Sequence, residues 1–167
     1  MLGYDGTQAA GRPADFNVSG LRQMVAVARS TLIDVPPAAA WAVIRDFNSM
    51  PAWNPTVVAS RIENGPADRI GCRRILTFED GGVWTHELTS LSDAERRLAY
   101  VIVGTPTPMR IPVWDYRAEM AVSPGPRLNS CRIDWRATFA TDHVAEMTER
   151  AGQVFESGFA GLRRLLT

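Results

Sequence analysis

The chain has 167 residues, 46% hydrophobic and 22% charged, which describes one globular domain able to bury roughly two-thirds of its unfolded surface. Its 18 basic and 18 acidic side chains cancel formally and are dispersed, which argues against the basic stripe of a nucleic-acid surface, and no apolar run approaches the roughly 18 residues of a membrane span. Every one of the 18 basic residues is arginine, so chemistry that builds an imine on a lysine amine is closed to this chain.

Residues 1–20 hold four glycines and little periodicity and read as a flexible leader, without the basic start and apolar core of a secretory signal. Residues 21–167 then form a single domain. A strand from about Val25 to Val35 runs into Pro36, and proline is well placed at the first turn of a helix because its missing N–H has no partner there anyway. Trp41, Ile44 and Phe47, with Val43 beside them, recur at helical spacing. Asn48 is expected to end this helix and cap a second short one, which Pro55 closes.

Four strand-like runs follow. Val57–Glu63 ends at Asn64-Gly65-Pro66, and Gly71–Phe78 ends at the hairpin signal Glu79-Asp80-Gly81-Gly82. Val83–Leu91 and Leu98–Val103 are joined by the charged segment Asp93–Arg97. Thr105-Pro106-Thr107-Pro108 is expected to be loop, since proline donates nothing to a ladder. In Trp114–Val122 the even residues are apolar, and in Cys131–Phe139 the odd ones are. Such alternation means an antiparallel sheet with one covered face. Val144, Met147, Ala151, Phe155, Phe159 and Leu162 place an amphipathic helix over Asp142–Leu166, with Asp142 as N-cap. Gly152 and Gly158 inside it leave room for a cavity or serve close packing.

Cys72 and Cys131 lie in separate strands without a CxxC motif and read as buried free thiols of a cytoplasmic protein. His86 and His143 form no HxH or HxxxH pair, so no metal site is expected. No GxSxG elbow is present to hold a nucleophilic serine.

Four groups of residues together resemble a known superfamily. They are Ile33-Asp34-Val35-Pro36 with Trp41 and Asp46-Phe47; Met50-Pro51-Ala52-Trp53-Asn54-Pro55; Ile70-Gly71-Cys72-Arg73-Arg74 leading to Asp80-Gly81-Gly82; and the aromatic series Tyr100, Tyr116, Trp135. Over residues 26–166 the chain resembles the SRPBCC (START-like, birch-pollen-allergen-like) helix-grip superfamily, most closely its bacterial polyketide cyclase/dehydrase type-two branch. The resemblance implies an α+β fold, in which a curved seven-stranded antiparallel sheet, with two short helices after its first strand, wraps around a long C-terminal helix and encloses an apolar cavity. It also implies a hydrophobic small-molecule ligand, no cofactor, no nucleic-acid or membrane partner, and two open roles. One is a lyase- or isomerase-type cyclase/dehydratase of secondary metabolism, closing a ring by aldol chemistry with general acid–base help. The other is a non-catalytic carrier or sensor, in which the Asp80–Gly82 turn and the Thr105–Pro112 loop close over the ligand and the Val101–Thr105 rim offers a homodimer surface.

The comparison with plant abscisic-acid receptors, which show a similar run from Gly71 to Glu87, marks Arg74, Glu87, Tyr100 and Tyr116 as pocket positions. The lysine those receptors use for their ligand's carboxylate has no counterpart here. Glu87 is the expected proton-transfer group. Both parities of its strand contain apolar residues, however, and His86 takes the role if the alternation runs the other way, since neighbours in a strand face opposite sides. Arg74 either binds an oxyanion or pairs with Glu87, and Tyr116 and Tyr100 either polarise a carbonyl or fill core. Leu76, Phe78 and Trp114 are expected in the ligand-binding wall, together with Trp135, Phe155 and Phe159.

Overall fold

The computed structural model describes residues 21–167, so the expected leader at 1–20 lies outside the described residues. Seven strands run β1 (Gln23–Ile33), β2 (Val57–Ile62), β3 (Arg73–Phe78), β4 (Val83–Ser92), β5 (Arg97–Thr107), β6 (Trp114–Pro124) and β7 (Cys131–Thr141). The helices are α1 (Pro37–Ile44), α2 (Met50–Trp53) and α3 (Val144–Leu166). All strand pairs are antiparallel in one sheet of order β1-β7-β6-β5-β4-β3-β2. This is the α+β helix-grip arrangement.

The alternation in the last two strands decides which face is covered. Tyr116, Ala118, Met120 and Val122 of β6, with Ile133, Trp135, Ala137 and Phe139 of β7, are buried on the inner face. The residues between them, among them Arg132, Asp134 and Arg136, form outer ion pairs and hydrogen bonds. Helix α3 lies against the inner face and buries Met147, Ala151, Phe155, Phe159 and Leu162, four- and three-residue steps along one stripe. The Phe155 ring stacks on Trp135 at 4.3 Å, and Phe159 meets the same indole edge-on at 6.3 Å.

Three local expectations are corrected. Asp142 does not cap α3: His143 holds that position, and Thr141 Oγ1 instead accepts the His143 N–H (3.1 Å) while donating to the Pro112 carbonyl (2.9 Å). Asn48 does not cap α2, which begins after Ser49, because its Oδ1 accepts the Ser60 hydroxyl at 2.7 Å. The segment Thr105–Thr107 belongs to β5, not to a loop. Pro106 is tolerated there because β5 pairs with β6 only through Arg97–Val101, and the pairing with β4 jumps from Val103 to Thr107 across a bulge at Gly104 (φ +69°).

The glycines of α3 serve close approach. A Cβ on Gly158 would lie 2.9 Å from Trp135, 3.0 Å from Trp53 and 3.1 Å from Asn54 Nδ2. One on Gly161 would lie 1.6 Å from the Trp53 carbonyl oxygen. That contact seats α3 on the end of α2, where the fully buried Asn54 donates to the Val154 carbonyl (3.2 Å) and accepts from the N–H and hydroxyl of Thr56. In an open helix Gly→Ala gains about 1 kcal/mol. Here Gly161→Ala must push backbone from backbone, and a net loss of about 2 kcal/mol or more is expected in urea unfolding. A variant as stable as the parent would show that α3 is not seated on Trp53.

Candidate functional site

Between the inner face of the sheet and α3 lies an apolar cavity walled by Phe78, Trp84, Ile102, Trp135, Met147, Val154 and Phe155. Its volume is about 60 Å³. That is well under the roughly 300–1,000 Å³ of drug-sized sites, because the large aromatic side chains fill the grip. Polar groups enter the wall from His86, Tyr100, Tyr116 and Arg150, and no carboxylate of the described residues lines it.

Strand β4 presents Trp84, His86 and Leu88 inward, which turns Glu87 out. The expectation that Glu87 faces the pocket is therefore corrected. It stands directly opposite Arg73 in the β3–β4 register, and their side chains pair at 2.8 Å on the outer face. On the inner face the next cross-strand pair is Arg74 opposite His86. Arg74 accordingly bonds His86 Nδ1 (3.4 Å from Nε, 3.2 Å from Nη2) and the Phe47 carbonyl (2.7 Å), not Glu87. Its guanidinium also lies over the rings of Phe47 (4.0 Å) and Tyr100 (5.1 Å), so it is the floor beneath His86 and not part of the cavity wall.

Tyr100 stacks on His86 with centroids 4.6 Å apart, and its hydroxyl accepts the Trp135 indole N–H at 3.2 Å. Tyr116 stacks on Phe139 at 5.5 Å. Trp114 leaves the wall: Asp115 takes φ +52° and the β6–β7 register shifts there, so the alternation slips and the indole meets the Arg22 guanidinium at 3.7 Å instead. Leu76 and Phe159 are fully buried core outside the cavity lining.

Burial, and secondarily the Arg74 charge, holds the His86 imidazole well below its ordinary 6.5. Arg74 itself is pushed down by burial to about 10, which leaves it charged at neutral pH. Burial raises both phenols, Tyr116 strongly with Tyr100 adding to it, and Tyr100 less because Arg74 and Trp135 oppose the effect. At neutral pH the wall therefore presents a neutral imidazole and two neutral phenols.

Arg150 was not legible as a site residue, although it stands three residues from Met147 on the pocket stripe of α3. It forms an ion pair with Asp80 in the turn between β3 and β4. Arg110 adds a second charge at 3.9 Å and donates to the Asp80 carbonyl at 3.0 Å. Asp80 also accepts the Gly82 N–H at 2.9 Å, and this bond, followed by the two arginines, holds its carboxyl below the usual range. The turn is thus tied from two sides beside the cavity.

A sequence model of the family described as polyketide cyclase/dehydrase and lipid transport matches residues 24–167. The chain belongs to that family. Among solved structures, the protein XoxI of Bacillus cereus is 25% identical with a TM-score of 0.75, over 84% of this chain and 94% of its own. A protein of Bacillus thuringiensis is 24% identical with a TM-score of 0.74, over 85% and 98%. Norcoclaurine synthase of Thalictrum flavum, solved with dopamine and hydroxybenzaldehyde, is 13% identical with a TM-score of 0.68, over 97% and 96%. These likenesses show that the chain shares its fold with two bacterial proteins and a plant synthase. No helix of the described residues is long and apolar enough to cross a membrane.

The depressed His86 has a consequence for stability. Unfolding frees the imidazole to protonate near 6.5, so below that pH the unfolded chain binds one proton more than the folded one, and stability falls as pH falls. The expected loss is up to about 1.4 kcal/mol per pH unit from this group. Denaturant unfolding between pH 7.5 and 5 should show a flatter profile for His86→Gln than for the parent, and identical profiles would refute a buried neutral imidazole.

Proposed function

We propose that this family member holds a small, mostly apolar molecule bearing a carbonyl or hydroxyl oxygen in the cavity, and that it acts as a carrier or sensor of that molecule. The observation that carries this reading is the convergence of His86, Tyr100 and Tyr116 in a wall that, apart from the Asp80-bound Arg150, is otherwise apolar and lacks a carboxylate among the described residues. Apolar walls supply most of the affinity, and the few polar groups fix orientation. The Asp80–Gly82 turn, tied by Arg150 and Arg110, is the gate through which the ligand enters. Cys72 and Cys131 are both buried and free, which suits a reducing compartment, and the cytoplasm is the proposed location.

The same three donors favour a second reading. They could polarise a carbonyl while an enolate attacks it, as cofactor-free aldol closure and dehydration require. Glu87 has no part in it, since it faces away from the cavity. A folded polycarbonyl chain also needs more room than the closed cavity offers, so the gate would have to open first.

Native mass spectrometry of the protein from its own host separates the two. A co-purifying molecule whose mass is unchanged on incubation supports the carrier, whereas turnover with loss of water supports the cyclase/dehydratase. With that molecule, Tyr116→Phe and His86→Gln are each expected to weaken binding about tenfold, the equivalent of one hydrogen bond, and Glu87→Gln to stay within about twofold. A large loss in Glu87→Gln would sink the assignment of the donors. Arg150→Met should release an apolar fluorescent dye several-fold faster in stopped-flow displacement, because the turn then keeps only Arg110. An unchanged release rate would remove the turn as the gate.

A further inference from the structure

No carboxylate of the described residues bonds the buried positive charge of Arg74. Its donors end on a carbonyl and an imidazole nitrogen, and its faces on two aromatic rings. A guanidinium has only donors to offer. His86 Nδ1, facing it, must therefore present its lone pair, and the single hydrogen of the neutral ring must sit on Nε2. The stack on Tyr100 fixes the ring plane. No fully buried side-chain nitrogen or oxygen of the described residues lacks a partner. Nε2, which makes no hydrogen bond among the described residues, is therefore open to the cavity that His86 lines. Tyr100 already accepts from Trp135, so its own hydrogen is free to donate, and the Tyr116 hydroxyl likewise has no partner among the described residues.

The cavity thus offers hydrogen-bond donors backed by a buried cation. We propose that it selects the ionised form of an acidic enol or phenol, with the oxyanion received by His86 Nε2–H and by the tyrosine hydroxyls. Arg74 is the positioning residue: it fixes the imidazole tautomer and supplies the charge that an oxyanion needs in a site of low dielectric. This rests on the reading that the cavity binds a small oxygen-bearing molecule. The ligand's O–H bond breaks on capture and its proton goes to the solvent, because no group in the wall is placed to take it. The ionisable groups around the site are Arg74 on β3, Tyr100 on β5, Tyr116 on β6 and Arg150 on α3, with Cys72 and Asp46 beyond Arg74. Arg150 is engaged by Asp80 at the gate.

The test uses 4-nitrophenol, whose absorbance separates phenol from phenolate, beside nitrobenzene as its neutral analogue. The parent protein is expected to bind the probe as phenolate at a pH one unit or more below the probe's solution pKa, releasing a proton that calorimetry in two buffers detects. Arg74→Met should bind the probe only as neutral phenol, while Arg74→Lys should recover part of the phenolate signal; a phenolate signal in Arg74→Met equal to the parent's overturns the role of Arg74. If Arg74→Met does not fold, imidazole nitrogen NMR of the parent decides: a lone pair on Nδ1 and hydrogen on Nε2 support the proposal, and hydrogen on Nδ1 overturns it. A parent that binds nitrobenzene and takes up 4-nitrophenol only as the neutral phenol overturns the proposal and leaves the carrier reading standing. A parent that binds neither probe overturns both.

Discussion

The guanidinium of Arg74 is the constraint around which the inner face is arranged. Moving a charge out of water costs several kcal/mol even after the protein relaxes, and no carboxylate of the described residues contacts it, Asp46 helping only from a distance. The compensation is spread over four groups on three elements. The Phe47 carbonyl reaches in from the turn after α1, His86 from β4, and the rings of Phe47 and Tyr100 supply their negative faces. Each of these groups is thereby fixed, and each in turn fixes something else: Tyr100 holds Trp135 through its hydroxyl, and Trp135 is the surface on which α3 lies. The charge is not ornamental to packing. It determines which imidazole nitrogen looks into the cavity.

The two ends of α3 are secured differently, one by backbone contact and the other by side chains. Towards the C-terminus the helix backbone approaches α2 through Gly158 and Gly161, and buried Asn54 bonds the Val154 carbonyl. Backbone contact of that kind has no tolerance for sliding. Towards the N-terminus the helix is held by the Arg150–Asp80 pair, a half-exposed ion pair on a glycine-bearing turn. Such pairs contribute little to stability and can break without disturbing the core. The cavity lies at the second end, beside the Asp80–Gly82 turn.

Much of this architecture was legible in the sequence because a sheet with one covered face writes itself as alternation. The strands β6 and β7 show it cleanly, and α3 shows the matching helical stripe. Strand β4 does not, since Val83 and Leu91 are apolar on one parity while Trp84 and Leu88 are apolar on the other. Glu87 could therefore be placed inward from sequence and stand outward in the structure. The deciding information is non-local: the β3–β4 register sets Arg73 against Glu87 and Arg74 against His86. Trp114 failed for a different reason, because the bulge at Asp115 reverses the side-chain direction and no residue type announces it. Arg150 was hidden by its charge, which marks an exposed residue unless its partner in a distant turn is known.

The proton inventory of the wall narrows what the site can do. Ring closure by aldol chemistry needs a group to take a proton from carbon, and the candidates here are poorly suited. Burial raises both phenols, which makes them reluctant to ionise, and the one lone pair of His86 is turned away from the cavity and onto Arg74. A carbonyl compound that arrives as a neutral ketone would be held but not activated for attack on itself. One that arrives as an enolate, or becomes one by losing its proton to solvent, meets donors already in place for its oxygen. Carrier and cyclase then differ in the ligand more than in the protein. With a single ionised oxygen and no second carbonyl in reach, the complex is a stable endpoint; with a second carbonyl held against the enolate carbon, the same donors would lower the barrier to closure.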